Sequence, residues 1–275
     1  MARTPLTKPS RRPAPAEKRV RYSDDLIWGI HPVLALLTRH PHRITELILQ
    51  RDRRGEGWQR LFAAAKEAQV RYTLVDRLVI TGAPDGEPVH QGVVARGSVV
   101  DMVSFAELLA ILSDGAGQTP PPRILACDSI QDPRNLGALI RSAYAAGIDH
   151  ILIPRERSAP LGGTAAKASA GALAHVTISR VVNLRDALDS LKKIGFWIYG
   201  ATAQPQAASI YEMDLTGPIC LVIGSEEKGI RPLVQRQCDA LIAIPMAGEI
   251  DSLNSSVAGA VIMFEMYRQA VAAAK

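Results

Sequence analysis

Apolar residues recur at Ile27, Ile30, Leu34 and Leu37, close to the i, i+3, i+4 spacing of one helix face. A short amphipathic helix is therefore expected over 27–38, weakened at its beginning by Gly29 and Pro32. Short apolar runs at 47–50, 72–75 and 92–96 read as strands, and 58–68 reads as a helix with Leu61, Ala64, Ala65 and Ala68 on one face. Together these predict a small α/β unit of roughly 80 residues. Residues 113–123 then bring three consecutive prolines and two glycines, which suit neither helix nor strand interiors. Beyond them, runs at 124–127, 151–153, 176–178, 197–199, 220–223 and 241–244 are apolar on both faces, as in a parallel sheet covered on both sides. They alternate with helical stretches near 136–146, 184–194 and 254–272, and no solenoid repeat is present. The fold class expected is α/β, divided into an N-terminal tail (1–22), a first domain (23–112), a linker (113–122) and a second, parallel-sheet domain (123–275).

Composition narrows the function classes. With 275 residues, 47% of them hydrophobic, the chain is not disordered throughout. No apolar run approaches the ~18 residues that span a bilayer, and the N-terminus has no apolar core of the secretory kind, so a cytoplasmic protein with no membrane partner is expected. Cys127, Cys220 and Cys238 are far apart and odd in number, which points to reduced thiols rather than disulfides or a zinc cluster. The formal charge of +5 is unevenly placed: residues 1–22 hold seven basic residues against one acid, whereas the other 253 hold 25 basic and 26 acidic. Four prolines stand in the same tail, so it is expected to be disordered and to serve as a polyanion contact or a solubilising leader.

Three segments could hold chemistry. In the first, a polar loop follows the strand at 124–127, Asn135 is a candidate N-cap, Leu136, Leu139, Ile140 and Ala143 form an apolar stripe, and Gly147 is a helix stop. Arg141 lies off that stripe. In the second, an apolar strand runs into a loop bracketed by Gly224 and Gly229 that presents Glu226. In the third, a strand breaks at Pro245 and a polar loop enters the terminal helix with Ser252 or Asn254 as its cap. Capping needs one such side chain, and the loop offers four. Neither a G-x-G-x-x-G nor a G-x-x-x-x-G-K-[ST] phosphate cradle is present, and no histidines pair at metal spacing, so no metal is expected.

In this order and spacing, the N-x-G-x-x-x-R of 135–141, the G-x-E-x-x-G of 224–229 and the I-P-M-x-G-x-x-x-S-L-N-x-S-x-A of 244–258 resemble the signature motifs of the SpoU/TrmH family of RNA ribose 2′-O-methyltransferases, within the SPOUT superfamily. Residues 27–37 and 89–95 look like the two ends of the small ribosomal-protein-like substrate-binding domain found in members that methylate a guanosine of 23S large-subunit ribosomal RNA. The resemblance implies a C-terminal trefoil knot and S-adenosyl-L-methionine as cofactor, lodged by Thr202, Gly224, Ile244, Met246 and Leu253. It also implies a homodimer in which Arg141 of one chain approaches the cofactor of the other. The expected catalytic set is Arg141, Asn135, Glu226, Ser252 and Asn254. An arginine is a poor base, because its pKa is above ~12, so clamping a phosphate and orienting the hydroxyl suit Arg141 at least as well. Asn135 would fix Arg141 or the ribose, Glu226 would order its loop or hold Arg141, and Ser252 and Asn254 would place the 2′-hydroxyl. Two departures stand out: Glu227 where glycine is common, and glycines at 162 and 163 where asparagine or threonine is usual. The alternatives are a transfer-RNA ribose methyltransferase and a non-catalytic RNA-binding or ribosome-assembly factor of the same fold.

Overall fold

The computed structural model describes residues 17–274 apart from 24, 84, 85, 87, 98, 99, 115–119, 205 and 249–251. The N-terminal unit contains β1 (Glu17–Arg21), β2 (Leu26–Trp28), α1 (Ile30–Arg39), β3 (Ile44–Gln50), α2 (Glu56–Glu67), β4 (Tyr72–Val75), β5 (Arg77–Thr81) and β6 (Val93–Gly97). Four of its strands form one sheet in the order β2-β6-β3-β4, antiparallel across β6 and parallel between β3 and β4. Strand alternation sorts the two faces. Ile27, Leu47, Leu49, Val93 and Ala95 pack under α1 and α2, while Leu26, Trp28, Ile48 and Val94 face Val20, Leu78 and Ile80.

Two expectations are corrected here. Ile27 belongs to a strand, because Gly29, at φ 94°, turns the chain between β2 and α1. Pro32 falls in the first helical turn, where a missing N–H costs nothing. The second correction concerns the tail. Residues 17–21 are not disordered but pair in parallel with β5, from Glu17 against Arg77 to Arg21 against Thr81. Lys18 meets Glu46 at 3.3 Å, and Glu17 takes Arg19 at 2.7 Å and Arg77 at 3.6 Å. The rest of the expected tail, 1–16, lies outside the described residues, as do 115–119 of the expected linker.

The larger unit runs β7 (Asp101–Val103), α3 (Phe105–Asp114), β8 (Arg123–Asp128), α4 (Pro133–Ala145), β9 (His150–Pro154), α5 (Gly163–Ala168), β10 (Thr177–Val181), α6 (Leu184–Lys193), β11 (Trp197–Ala201), β12 (Ala208–Ser209), β13 (Ile219–Gly224), α7 (Pro232–Gln235), β14 (Ala240–Ala243) and α8 (Ser255–Ala273). Its eight strands are all parallel, in the order β12-β14-β11-β13-β8-β9-β10-β7. One face buries Leu125, Cys127, Ile151, Leu221 and Ile223 beneath α4 and α8. The other buries Ile124, Ala126, Leu152, Cys220 and Val222 with Leu108 and Leu112 of α3 and the apolar stripe of α6. Segments β7 and α3, counted with the first domain from sequence, are thus an edge strand and an outer helix of the second sheet.

Helix α5 seats the two units on each other. A Cβ at Gly163 would fall 1.9 Å from the Trp28 ring and 2.3 Å from the Leu26 carbonyl oxygen, so only glycine permits this approach to β2. Lys167 donates to the Val89 carbonyl across the same seam at 3.2 Å. The unusual glycine at 163 is therefore explained by packing between the units.

Candidate active site

Helix α4 begins on Asp132, whose carboxylate accepts from the Arg134 N–H at 2.7 Å, with Pro133 at the first helical position. Asn135 is therefore not the N-cap, as the sequence suggested. It sits in the first turn, where its amide is released from capping and donates to Glu226 Oε1 at 3.0 Å. Gly147 does follow the helix at φ 77°.

Glu226 is presented by a turn after β13. Ser225 and Gly229 exchange backbone hydrogen bonds of 3.2 and 2.8 Å, and Lys228 N–H donates to Ser225 Oγ. A Cβ at Gly224 would lie 2.1 Å from the Gly229 carbonyl carbon, so glycine is required where the turn folds back on the strand. Glu227 is accommodated at the exposed outer part of this turn.

Asn254 caps α8. Its Oδ1 accepts from Ser256 N–H at 2.9 Å and Val257 N–H at 3.3 Å, while its Nδ2 donates to Asn135 Oδ1 at 3.3 Å and to Glu226 Oε1. Three side chains from three distant segments thus close one hydrogen-bonded triangle.

Beside it lies a cavity of about 170 Å³ lined by Thr202, Gly224, Ile244, Met246, Ser252 and Leu253, among others. All five expected cofactor residues therefore share one cavity, together with Ser252. Its other walls include Ile223, Ala258 and Ile262. Through Ser225, Glu226, Gly229 and Ser255 it adjoins a polar groove of about 560 Å³ that also holds Asn135, Arg157 and Lys228. The two spaces together reach the size usual for a small-molecule site. Ser255 is buried at their junction, and its Oγ has no hydrogen-bond partner among the described residues.

Arg141 stands apart. Six residues along α4 from Asn135 carry it about 9 Å along the axis and about 120° around it. It lines a different cavity, with Arg134, Thr164 and Lys167 on one side and Tyr22 and Trp28 on the other. Within one chain the structure does not bring Arg141 to the triangle.

Sequence reasoning missed the pair beneath the groove. Asp128, fully buried at the end of β8, accepts from Arg231 N–H at 2.8 Å and from its Nε at 2.7 Å, and lies 2.7 Å from Nη2. This fixes the exit of the Glu226 turn to β8. The only signal available was an acid directly following the apolar run 124–127. Burial pushes the Cys127 thiol up to about 12 and Cys238 likewise, with Cys220 also well raised, so none supplies a nucleophile. Among the described residues no group of His, Cys, Asp or Glu is placed to hold a metal, and no helix is long and apolar enough to cross a membrane.

The model of the SpoU rRNA methylase family matches residues 122–264, and that of the RNA 2′-O ribose methyltransferase substrate-binding domain matches 26–98. The chain belongs to the SpoU rRNA methylase family. It is 39% identical over 248 residues to the 23S rRNA (guanosine-2′-O-)-methyltransferase RlmB of Photorhabdus laumondii, covering 89% of this chain and 98% of that protein. It is 38% identical to the RlmB of Escherichia coli K12, with the same coverage. The SpoU methyltransferase AviRb of Streptomyces viridochromogenes, solved with AdoMet, shares the fold at a TM-score of 0.66 and 22% identity, over 90% of each chain. The SpoU match spans the triangle and the cavity beside it, and the substrate-binding match spans the β2-β6-β3-β4 sheet.

Proposed function

We propose that the chain transfers a methyl group from S-adenosyl-L-methionine to the 2′-hydroxyl of a guanosine ribose in 23S ribosomal RNA, the reaction named for its Photorhabdus and Escherichia relatives. The observation that carries this reading is the convergence of Asn135, Glu226 and Asn254 at the edge of a cavity whose walls suit the cofactor. Ile223, Ile244, Leu253 and Ile262 offer apolar walls, Gly224 lets the Glu226 turn fold back tightly on β13 at the rim, and Ser255 Oγ, buried with no hydrogen-bond partner among the described residues, offers a polar contact. Thr202, Gly224, Ile244, Met246 and Leu253 hold the cofactor in this reading. When bound it supplies an electrophilic methyl group on a sulfonium.

The chain's own residues then have to place a weakly acidic hydroxyl in line. Correct positioning of two reactants can supply roughly 7–11 kcal/mol of barrier reduction. Glu226, held at one oxygen by Asn135 and Asn254, is the anionic acceptor of the cluster, and Ser252 lines the cavity beside it. Arg141, permanently charged, clamps the adjoining phosphate rather than removing the proton. Because it lies away from the triangle in its own chain, it acts in the site of a second copy. The exposed apolar residues Val257, Phe264, Tyr267 and Val271, on one side of α8, support such a homodimer. The C-terminal trefoil knot goes with this reading. It is supported by β13 entering between β11 and β8 before β14 is added on the far side of β11. The cytoplasm, where ribosomal RNA is available, is the compartment.

Transfer of tritium from labelled cofactor to transcribed 23S ribosomal RNA, with the product nucleotide mapped, tests the assignment. Incorporation at one guanosine ribose is expected, whereas label only in transfer RNA, or in no RNA, would overturn it. Arg141→Ala should abolish transfer with cofactor affinity intact. Mixing Arg141→Ala with Glu226→Gln subunits should restore part of the activity, because one of the two sites in the mixed dimer is whole.

A further inference from the structure

The carboxyl ends of β9 and β10 hold a second constellation, at the same edge of the sheet as the triangle. Arg180 lies near the end of β10, Arg155 directly follows β9, and Ser158 lies in the loop beyond it. They line a groove of about 650 Å³ whose walls also include Asp25, Gly97 and Met102. Two polar atoms here, Arg180 Nε and Ser158 Oγ, are buried without a hydrogen-bond partner among the described residues. Buried donors are almost always paired, so two left alone at one groove point to a ligand that would pair them. Arg155, which is exposed, adds a cation with no ion pair among the described residues. The carboxylate of Asp25, which shares the groove, is itself engaged by Arg96 at 3.1 Å.

We propose that this groove binds a backbone phosphodiester of the RNA substrate, with Arg180, Ser158 and Arg155 donating to its non-bridging oxygens. An arginine fork and a hydroxyl match a tetrahedral oxyanion. The place fits as well. The triangle stands at the ends of β8 and β13 and the groove at the ends of β9 and β10, so Arg180 is about three strand spacings, or ~14 Å, from β13. The intervening loop joins them, placing Arg157 in the polar groove beside Glu226 and Ser158 in this one. An RNA strand laid along this edge meets the methylation site and the phosphate site in turn. The groove therefore fixes the strand's path a few nucleotides from the reacting ribose and acts as a positioning site.

The proposal rests on RNA being the substrate, and its test separates the two claims. Binding of transcribed 23S ribosomal RNA to the full chain is measured by filter retention over a salt series without methyl donor, alongside steady-state transfer. Arg180→Ala should weaken RNA binding about tenfold and lower the slope of log affinity against log salt by about 0.7–0.9. The KM for RNA should rise in step while kcat and cofactor affinity stay unchanged. Arg180→Lys should restore the salt slope but only part of the affinity, since the fork is lost. Arg155→Ala, at an exposed position, should lower the slope without affecting folding, which keeps the test decisive if Arg180→Ala is unstable. Wild-type affinity and slope in Arg180→Ala and Arg155→Ala would overturn the proposal, as would loss of kcat with KM unchanged. A wild-type chain that binds this RNA but transfers no methyl would overturn the functional assignment instead, leaving the groove's binding test intact.

Discussion

Replacing Asn254 separates a structural role from a functional one, because its two ends do different things. The Oδ1 end caps α8 through Ser256 and Val257 N–H, and the Nδ2 end holds Glu226 and Asn135. Alanine removes both. Loss of the cap costs about 1 kcal/mol, and loss of the exposed side-chain bonds costs about another 1 kcal/mol. For a chain of this size about 2 kcal/mol lowers Tm by roughly 4–8 °C. Serine keeps an acceptor for the cap but has no amide to reach Glu226, so Asn254→Ser should lose only about half as much stability. Both variants leave Glu226 held by Asn135 alone. A hydrogen bond to a charged group contributes about 1.5–3 kcal/mol, which corresponds to a fall in kcat of roughly 10- to 100-fold. Thermal unfolding and single-turnover methyl transfer on the same preparations provide the two readouts. The reasoning is refuted if Asn254→Ser turns over at the wild-type rate, or if activity in the two variants falls in proportion to Tm rather than equally.

The Gly224→Ala variant places a Cβ 2.1 Å from the Gly229 carbonyl carbon, so the turn must open. Cofactor affinity by calorimetry should drop more than about tenfold, the size of one lost hydrogen-bonded contact at 1.4 kcal/mol, and retained affinity would show that the turn does not shape the cavity. Deletion of residues 1–16 removes Arg3, Lys8, Arg11 and Arg12 while leaving β1 in place. The salt slope of RNA binding should fall by at most about 4 with the methylated nucleotide unchanged, and a shifted site would refute a merely electrostatic role.

The larger sheet was legible because strands buried on both faces must be apolar throughout, and such runs announce themselves. The strands that escaped notice lack that pressure. In β1, with sequence Glu-Lys-Arg-Val-Arg, Val20 alone is buried, so no periodicity marks it. Ile27 is apolar on a helix or a strand alike, and only the positive φ at Gly29 decides between them. The start of α4 could have been read correctly, since Pro133 at a first helical position points to Asp132 as the cap. The triangle is different in kind. Its members are 91 and 119 residues apart, and nothing local in the chain says that an asparagine at 135 will meet a glutamate at 226 or an asparagine at 254. That part of the site was reached through the family motifs. The groove at Arg155 and Arg180 has no motif, and two isolated arginines read as ordinary surface charge until the sheet sets them side by side.

The same placement resolves how a nearly neutral folded body recognises a polyanion. Part of the tail's charge is already engaged, since Lys18 and Arg19 of β1 pair with Glu46 and Glu17. Within the body the cations gather at a few sites: Arg134, Arg141 and Lys167 around the seam between the units, Arg155 and Arg180 at the ends of β9 and β10, and Arg157 and Lys228 beside the triangle. Acids remote from these sites count in the total but are largely screened beyond about 8–10 Å, whereas Asp132, Glu226 and Glu227 share the groove of Arg157 and Lys228, and Asp25 shares that of Arg155 and Arg180. On the proposed reading net charge underestimates RNA affinity, and the spacing of the local sites, rather than their sum, sets which ribose reaches the methyl group.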